Sequence, residues 1–391
     1  MVYAVFPFFQ AGTKEISLTV DPVVFVVGDE YQIVWHTTEP SIGWVSVGEN
    51  VYEDSSGGTM KTLEKVHKVS VPMAQLDTEK SYTVHAQKVE REPYVVELGT
   101  LLEKTYIFRP IDESDGIHIY NLSDNHSSLF PAADTAAYWG DKLDLLILNG
   151  DIANDLMTED DLVNLINLAA EVTKGGRPVL YTRGNHETRG AYAEQVHKYV
   201  GFKGEDEFYF TTRLGSLYLM VLDFAEDKAD SHKEYYGLAR FEEYRNKQTK
   251  FIKNVIENKD TEYEASGVKY KLLISHIRVN NKNNWHEKFH KEWTNYANEI
   301  KPDLHLSGHS HRLSYMLPAV DSEYNPDNPD GSYGDSSYAH NFTVVMGSKP
   351  PGGSGEDSED FIATAVLLKD DSIDLWFTNQ DHEIIEHHKV K

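Results

Sequence analysis

"DLHLSGHSHRLS", residues 303–314, ends an apolar, strand-like run with a glycine and then sets two histidines one residue apart. Imidazoles that close either grip a ligand together or belong to an ordinary loop. The same arrangement recurs upstream. "YNLSDNH" ends in Asp124 and His126, "ILNGDIAND" carries Asp151, "LYTRGNHE" carries Asn185, His186 and Glu187, and "LLISH" ends in His276. Five strand-like runs each deliver metal-capable side chains at the carboxyl end. In open α/β sheets that edge is where ligands sit.

The intervals between these runs read as helices, which predicts an α/β layered domain. Thr158 and Asp161 resemble a capping box. Leu162, Leu165, Ile166, Ala169 and Val172 then share one helical face until Gly175-Gly176 stops the helix. A second amphipathic stretch runs from about Leu238 to Asn258. Residues 12 to about 108 are different: short strands separated by turn residues such as Glu39-Pro40 and Gly57-Gly58, as in an antiparallel β-sandwich. Trp35 and Trp44 are expected to anchor its core. "FRPIDESDG", residues 108–116, reads as the linker. This predicts a β-sandwich over 1–108 and an α/β unit over 109–391. "IATAVLLKDDSIDLWFTN" is expected to form a closing hairpin turned at Asp370-Asp371, and residues 321–358 a polar loop interrupted by "FTVVMG".

Composition bounds the function. The 391 residues carry 63 acidic and 37 basic side chains, a net charge of −26. Such a surface repels nucleic-acid backbones and anionic membranes, which argues against both as partners. There is no cysteine, hence no disulfide and no thiolate ligand. No run approaches the ~18 apolar residues of a membrane span, so a cytoplasmic setting is the expectation. Any metal must be held by nitrogen and oxygen. Two aspartates, four histidines and one asparagine supply seven donors, and a bridging Asp151 gives each of two ions four. Such ligation favours Mn, Fe, Zn, Co or Ni over Mg or Ca. Two cations ~3.5–4 Å apart can drive an in-line displacement at phosphorus.

"SDNH", "NGD", "RGNHE", "SH" and "SGHSH", in this order, resemble the calcineurin-like metallophosphoesterases over roughly residues 115–315. The N-terminal sandwich with "FVVGDEYQIVWHT" is similar to the purple acid phosphatase layout. The resemblance implies a four-layer α/β/β/α domain preceded by a fibronectin- or immunoglobulin-like sandwich. It implies one metal on Asp124, His126, Asp151 and His311, and another on Asp151, Asn185, His276 and His309. It also implies that His186 stands over the phosphoryl group, and that a metal-bridging hydroxide attacks it. The expected activity is hydrolysis of a small-molecule phosphomonoester. A phosphodiesterase on the same metals and a non-catalytic scaffold on the same fold are the alternatives. Two positions depart from the purple subgroup: Asn125-His126 replaces its x-Gly, and Asn154 stands where it has tyrosine. A protein without purple colour is therefore expected.

Other residues invite weaker readings. Glu187 could orient an imidazole, and Asn154 and Asp155 could line the site or cap the turn. Arg183 and Arg189 could contact phosphate, although structural ion pairs fit them as well. "RVNNKNNWHEKFHKEW", residues 278–293, reads either as a substrate-facing lid or as a solvated loop leading into a helix. His118 and His305 are expected in the core. His387-His388 is expected to be a solvated end, and the acidic run at 356–360 solvated.

Overall fold

A computed structural model describes residues 15–56, 58–91, 95–204, 207–282, 286–318, 337–353 and 359–390. Two large sheets are stacked face to face. In the first, the central strands Ile117–Leu122, Leu145–Asn149 and Pro178–Thr182 run parallel. In the second, Leu217–Val221, Tyr270–Ile274, Leu304–Ser307 and Thr343–Gly347 are likewise parallel neighbours. Their carboxyl ends therefore open on common edges. These strands are mostly apolar because parallel strands are buried on both faces, with His118, Asn121 and His305 among the buried polar exceptions.

The alternation of side chains separates three cores. Ile119, Ile147 and Leu180 face Leu219, Leu272 and Leu304 between the sheets. Tyr120, Leu146 and Val179 point the other way, against Leu162, Leu165 and Ile166 of the helix Glu159–Thr173. Met220, Leu273 and Val344 pack outward on Ile252, Val255, Phe289 and Trp293 of the helices Phe241–Glu257 and Glu287–Ile300. Helices thus cover the outer face of each sheet. The expected capping box is present at Thr158, whose N–H and hydroxyl both donate to Asp161. The helix ends with Lys174 and Gly175 in left-handed conformation.

The N-terminal strands are antiparallel to one another, as expected, but they do not form a sheet of their own. Leu18–Val27 pairs in parallel with Pro178–Thr182, through Val24↔Pro178 and Phe25↔Val179, and so extends the first sheet. The cause lies in the strand itself. Val24 and Val26 enter the core between the sheets while Val23 and Phe25 enter the outer one, so both faces are buried and both edges are paired. Glu39-Pro40 is no turn: one strand, Glu30–Val47, passes through it with a register shift between His36 and Ser41. Proline is tolerated at such irregularities.

Trp35 is fully buried, but Trp44 is only half-buried and stacks on His85 at 4.9 Å, so it is not a core anchor. A further strand, Glu97–Ile107, gives little signal in the sequence because its largely exposed side chains hide the apolar period. The closing hairpin pairs Lys369 with Ser372 as expected. His387 is exposed, as expected of a solvated end, and His388 is half-buried. Both lie in a further strand, Ile384–Lys389, where His387 stacks on Trp376 and His388 on Tyr315. "FTVVMG" forms the strand Thr343–Gly347, whereas residues 319–336 and 354–358, including most of the acidic run, lie outside the described residues. Among the described residues no helix is long and apolar enough to cross a membrane.

Candidate metal centre

All eight residues expected at the site come together on the edge where the parallel strands end. Asp124, His126 and His311 form one group of potential metal donors, and Asp151, His276 and His309 form another. Asp151 also groups with His126 and His186, so it sits between the two. Asn185 joins the second group, its Oδ1 accepting from His309 Nδ1 at 2.9 Å.

The backbone is bent sharply to achieve this. Asp124, His126, Asp151, His309 and His311 all have positive φ, between 44° and 72°. Left-handed conformations in residues with a Cβ cost on the order of 1–3 kcal/mol each and cluster at functional sites. Two glycines permit the close approach. A Cβ on Gly308 would lie 2.2 Å from Ser123 Oγ and 2.6 Å from Asp124 Oδ2, and one on Gly184 would lie 2.2 Å from Asp151 Oδ1.

The carboxylates are held by donors. Asp124 is fully buried and accepts from the N–H of His309 at 2.9 and 3.0 Å and from the Ser123 hydroxyl at 2.6 Å. Asp151 Oδ1 accepts from the N–H of His186 at 2.9 Å. Asp151 Oδ2 then faces His276 Nε2 at 3.0 Å. His276 Nδ1–H donates to the Asn149 carbonyl at 2.7 Å, so in the neutral ring Nε2 carries a lone pair. That buried Nε2 has no hydrogen-bond partner among the described residues. A lone pair aimed at a carboxylate requires a cation between or beside them. Here the proton can play that part: burial opposes charge on His276, yet Asp151 and then Asp124 carry its pKa up to about 10. The opposite holds for His126, where burial outweighs the same aspartates and lowers the pKa to about 4. Its Nε2 lies 2.9 Å from His311 Nε2, so two ring nitrogens converge on one point. These donor sets fit a transition metal with nitrogen and oxygen ligands.

His186 stands at the mouth, its ring edge-on to His126 at 4.6 Å. Its Nδ1–H donates to the carbonyl of Asn154, while Nε2 lies 3.9 Å from Asp151 Oδ2 and 3.2 Å from Arg189 Nη1. Asn154 therefore meets the site through its backbone, its side-chain amide donating to Asp155 at 3.3 Å. Glu187 does not orient an imidazole. Fully buried, it accepts the N–H groups of Asp151, Ala153 and Gly184 at 2.8–2.9 Å and ties the loop of Asp151 to that of Asn185. Burial and the neighbouring Asp151 raise its pKa to about 7, against the pull of those N–H groups.

Arg183 is a structural ion pair, 2.7 Å from Asp223, with its guanidinium over the rings of Phe208 and Tyr244. Arg189 pairs with Glu226 at 2.9 Å. His118 is buried beside Asp144, and His305 is buried and accepts the N–H of Val279 at 3.1 Å, so both are core residues. In the 278–293 stretch the second half enters the helix Glu287–Ile300, as one reading expects, but Arg278, Val279 and Asn280 at its start are buried rather than solvated. Residues 283–285 lie outside the described residues. One site residue was missed: Asp227, whose Oδ2 is 3.4 Å from His309 Nε2. It follows the apolar strand Leu217–Val221 in "LYLMVLDFAED", so the rule that found the others extends to it.

Comparison with known proteins agrees with this geometry. A model of the calcineurin-like phosphoesterase family matches residues 117–313. The purple acid phosphatase PPD1 from yellow lupin (Lupinus luteus) seeds superimposes with a TM-score of 0.59 at 12% identity, over 95% of this chain and 73% of that one. A structure of PhoD gives 0.50 at 12% identity, over 96% and 91%. At such identity the likeness is one of fold. No curated protein matches the sequence. With its fold, its strand-end donor set and a family match spanning half its length, this chain belongs to the calcineurin-like phosphoesterases.

Proposed function

We propose that the protein is a phosphomonoesterase working with two transition-metal ions, drawn from Mn, Fe, Zn, Co and Ni. One observation carries the reading: Asp151 belongs to the group with His276 and His309 and also to one with His126 and His186, so it links that donor set to the one of Asp124, His126 and His311. Asp124, His126 and His311 would hold one ion, Asn185, His276 and His309 the other, and Asp151 would bridge. Two such cations supply a water of lowered pKa and offset charge at phosphorus.

The chain's own residues do the rest. His186 is tethered through Nδ1–H to Asn154, so Nε2, now facing Arg189 Nη1, is the nitrogen that can turn toward a phosphoryl oxygen. Protonated there, it donates to the leaving oxygen, a role worth about 10²–10⁴ in rate. Glu187 holds both loops rigid from beneath. A small phosphoester is the substrate class, since a protein of net charge −26 attracts an anion only where cations gather. We also read the strands before residue 109 as a fibronectin- or immunoglobulin-like unit fused to the catalytic sheet.

The test is direct. Purified without chelator, the protein is expected to carry about two transition-metal ions per chain. Loaded with Mn, it is expected to hydrolyse p-nitrophenyl phosphate faster than bis-p-nitrophenyl phosphate. Preference for the diester moves the reading to a phosphodiesterase. A metal-loaded protein inert toward a broad phosphoester panel moves it to a scaffold.

A further inference from the structure

We infer that Arg189 is a substrate-contacting residue whose Nη1 is a preset donor to the phosphoryl oxygens of the ester. The inference rests on the phosphoesterase reading and adds a third cationic group to it.

An arginine has five donors and no acceptor. Here two of its nitrogens are committed. Nη2 donates to Glu226 Oε2 at 2.9 Å, and Nε lies 3.3 Å from both Glu226 Oε2 and the Tyr235 hydroxyl. Glu226 is fully buried, and its other oxygen accepts the N–H of Asp227 at 2.9 Å. Tyr235 is fixed in turn against Thr188 at 3.2 Å and against Glu226. The main chain is fixed too, because the Arg189 carbonyl accepts from Leu156 N–H at 2.9 Å. The guanidinium plane is therefore set by the protein rather than by solvent.

What that plane aims is the remaining nitrogen. Nη1 points at His186 Nε2, 3.2 Å away, and that same Nε2 is 3.9 Å from Asp151 Oδ2. A pure structural pair would have no reason to leave one edge directed at the catalytic histidine. Arg183, the other arginine of the motif, shows the contrast: it lies on Phe208 and Tyr244 with Nε and Nη2 both on Asp223. A phosphoryl oxygen is a stronger acceptor than an imidazole nitrogen, and guanidinium donors bind it with charge assistance. Entry of the ester would thus draw Nη1 off His186 and onto a phosphoryl oxygen, and Nε2, once it has taken up a proton from water, can pass that proton to the leaving oxygen.

The experiment uses the full chain loaded with Mn. Inorganic phosphate is titrated calorimetrically, and KM for p-nitrophenyl phosphate is measured alongside, in wild type, Arg189→Gln and Arg189→Lys. Arg189→Gln is expected to weaken phosphate binding by about tenfold to a hundredfold and to raise KM in step, with Mn content unchanged. Arg189→Lys should recover part of the loss, and added guanidinium should partly rescue Arg189→Ala. Unchanged phosphate affinity in Arg189→Gln overturns the proposal. If that variant does not fold, Tyr235→Phe loosens the guanidinium while keeping it, and must weaken phosphate binding severalfold; unchanged affinity there overturns the proposal equally. An active wild type with an indifferent Arg189→Gln sinks the arginine alone. A wild type that binds phosphate through Arg189 yet hydrolyses nothing sinks the phosphoesterase reading instead.

Discussion

His276 Nε2 and Asp151 Oδ2 lie 3.0 Å apart with both residues buried, and the far side of the ring is anchored on the Asn149 carbonyl. Without metal, the pair is held by a proton. Despite burial, the aspartates raise the His276 pKa from 6.5 to about 10. Asp151 moves down from 3.8, since His276 outweighs the desolvation that burial imposes. The histidine's contribution to stability is complete below about 6.5 and lost as pH rises through about 10. The aspartate's contribution is present above about 3.8 and lost on acidification. The metal-free protein should therefore melt at progressively lower temperature from about pH 6.5 to 10. Bound metal replaces the proton, so the gap between loaded and metal-free protein should widen over that range. Flat metal-free melting curves there would count against the pairing.

Asp151→Asn and His186→Ala separate two roles. The first removes the shared charge and should empty the site, read as lost metal by elemental analysis and lost turnover. The second leaves the donor groups intact. Metal content should stay at the wild-type level while kcat falls by about 10²–10⁴. Loss of metal in His186→Ala would place that residue among the ligands.

Gly308→Ala tests the tight turn at the opening stretch of histidines. The new methyl would meet Ser123 Oγ at 2.2 Å and Asp124 Oδ2 at 2.6 Å. Displacing Asp124 should weaken metal affinity by about 10–100-fold. Overpacking should also lower stability by about 1–3 kcal/mol, measured by urea unfolding. An Mn titration superimposable on wild type would refute the crowding argument.

Glu187→Ala leaves three backbone N–H groups, those of Asp151, Ala153 and Gly184, without their acceptor. Each buried orphan costs about 1–3 kcal/mol, so the metal-free protein should lose several kcal/mol. Glu187→Gln keeps one acceptor oxygen and should fall between. Equal stability of all three proteins would show that water satisfies those groups.

Iron-loaded protein should be free of an intense visible band. The position that would supply a phenolate is Asn154, whose carbonyl is engaged by His186 and whose amide donates to Asp155. A strong absorption near the purple range after aerobic iron loading would contradict this.

The convergence of these side chains was legible in the sequence because each follows an apolar run, and parallel strands buried on both faces make such runs nearly continuous. The helix at 159–173 was legible from Thr158, Asp161 and its apolar face. Long-range partners were not. Nothing local says that Arg189 meets Glu226 across 37 residues, or that Asp227 meets His309. Glu187 was misread because its acceptor role depends on backbone N–H groups 34 and 36 residues away. Glu39-Pro40 looked like a turn because proline ends most strands, whereas here a register shift absorbs it.

The parallel seam between Leu18–Val27 and Pro178–Thr182 has an engineering consequence. Two residues past that seam lies Gly184, and then Asn185 and His186. Trimming the chain to begin at residue 109 would strip the neighbour from this strand and bare an apolar sheet edge, a template for aggregation. The front half of this polypeptide is thus a splint for the loop that bears those residues, and grafting either half onto a foreign partner should cost it solubility first and hydrolysis with it.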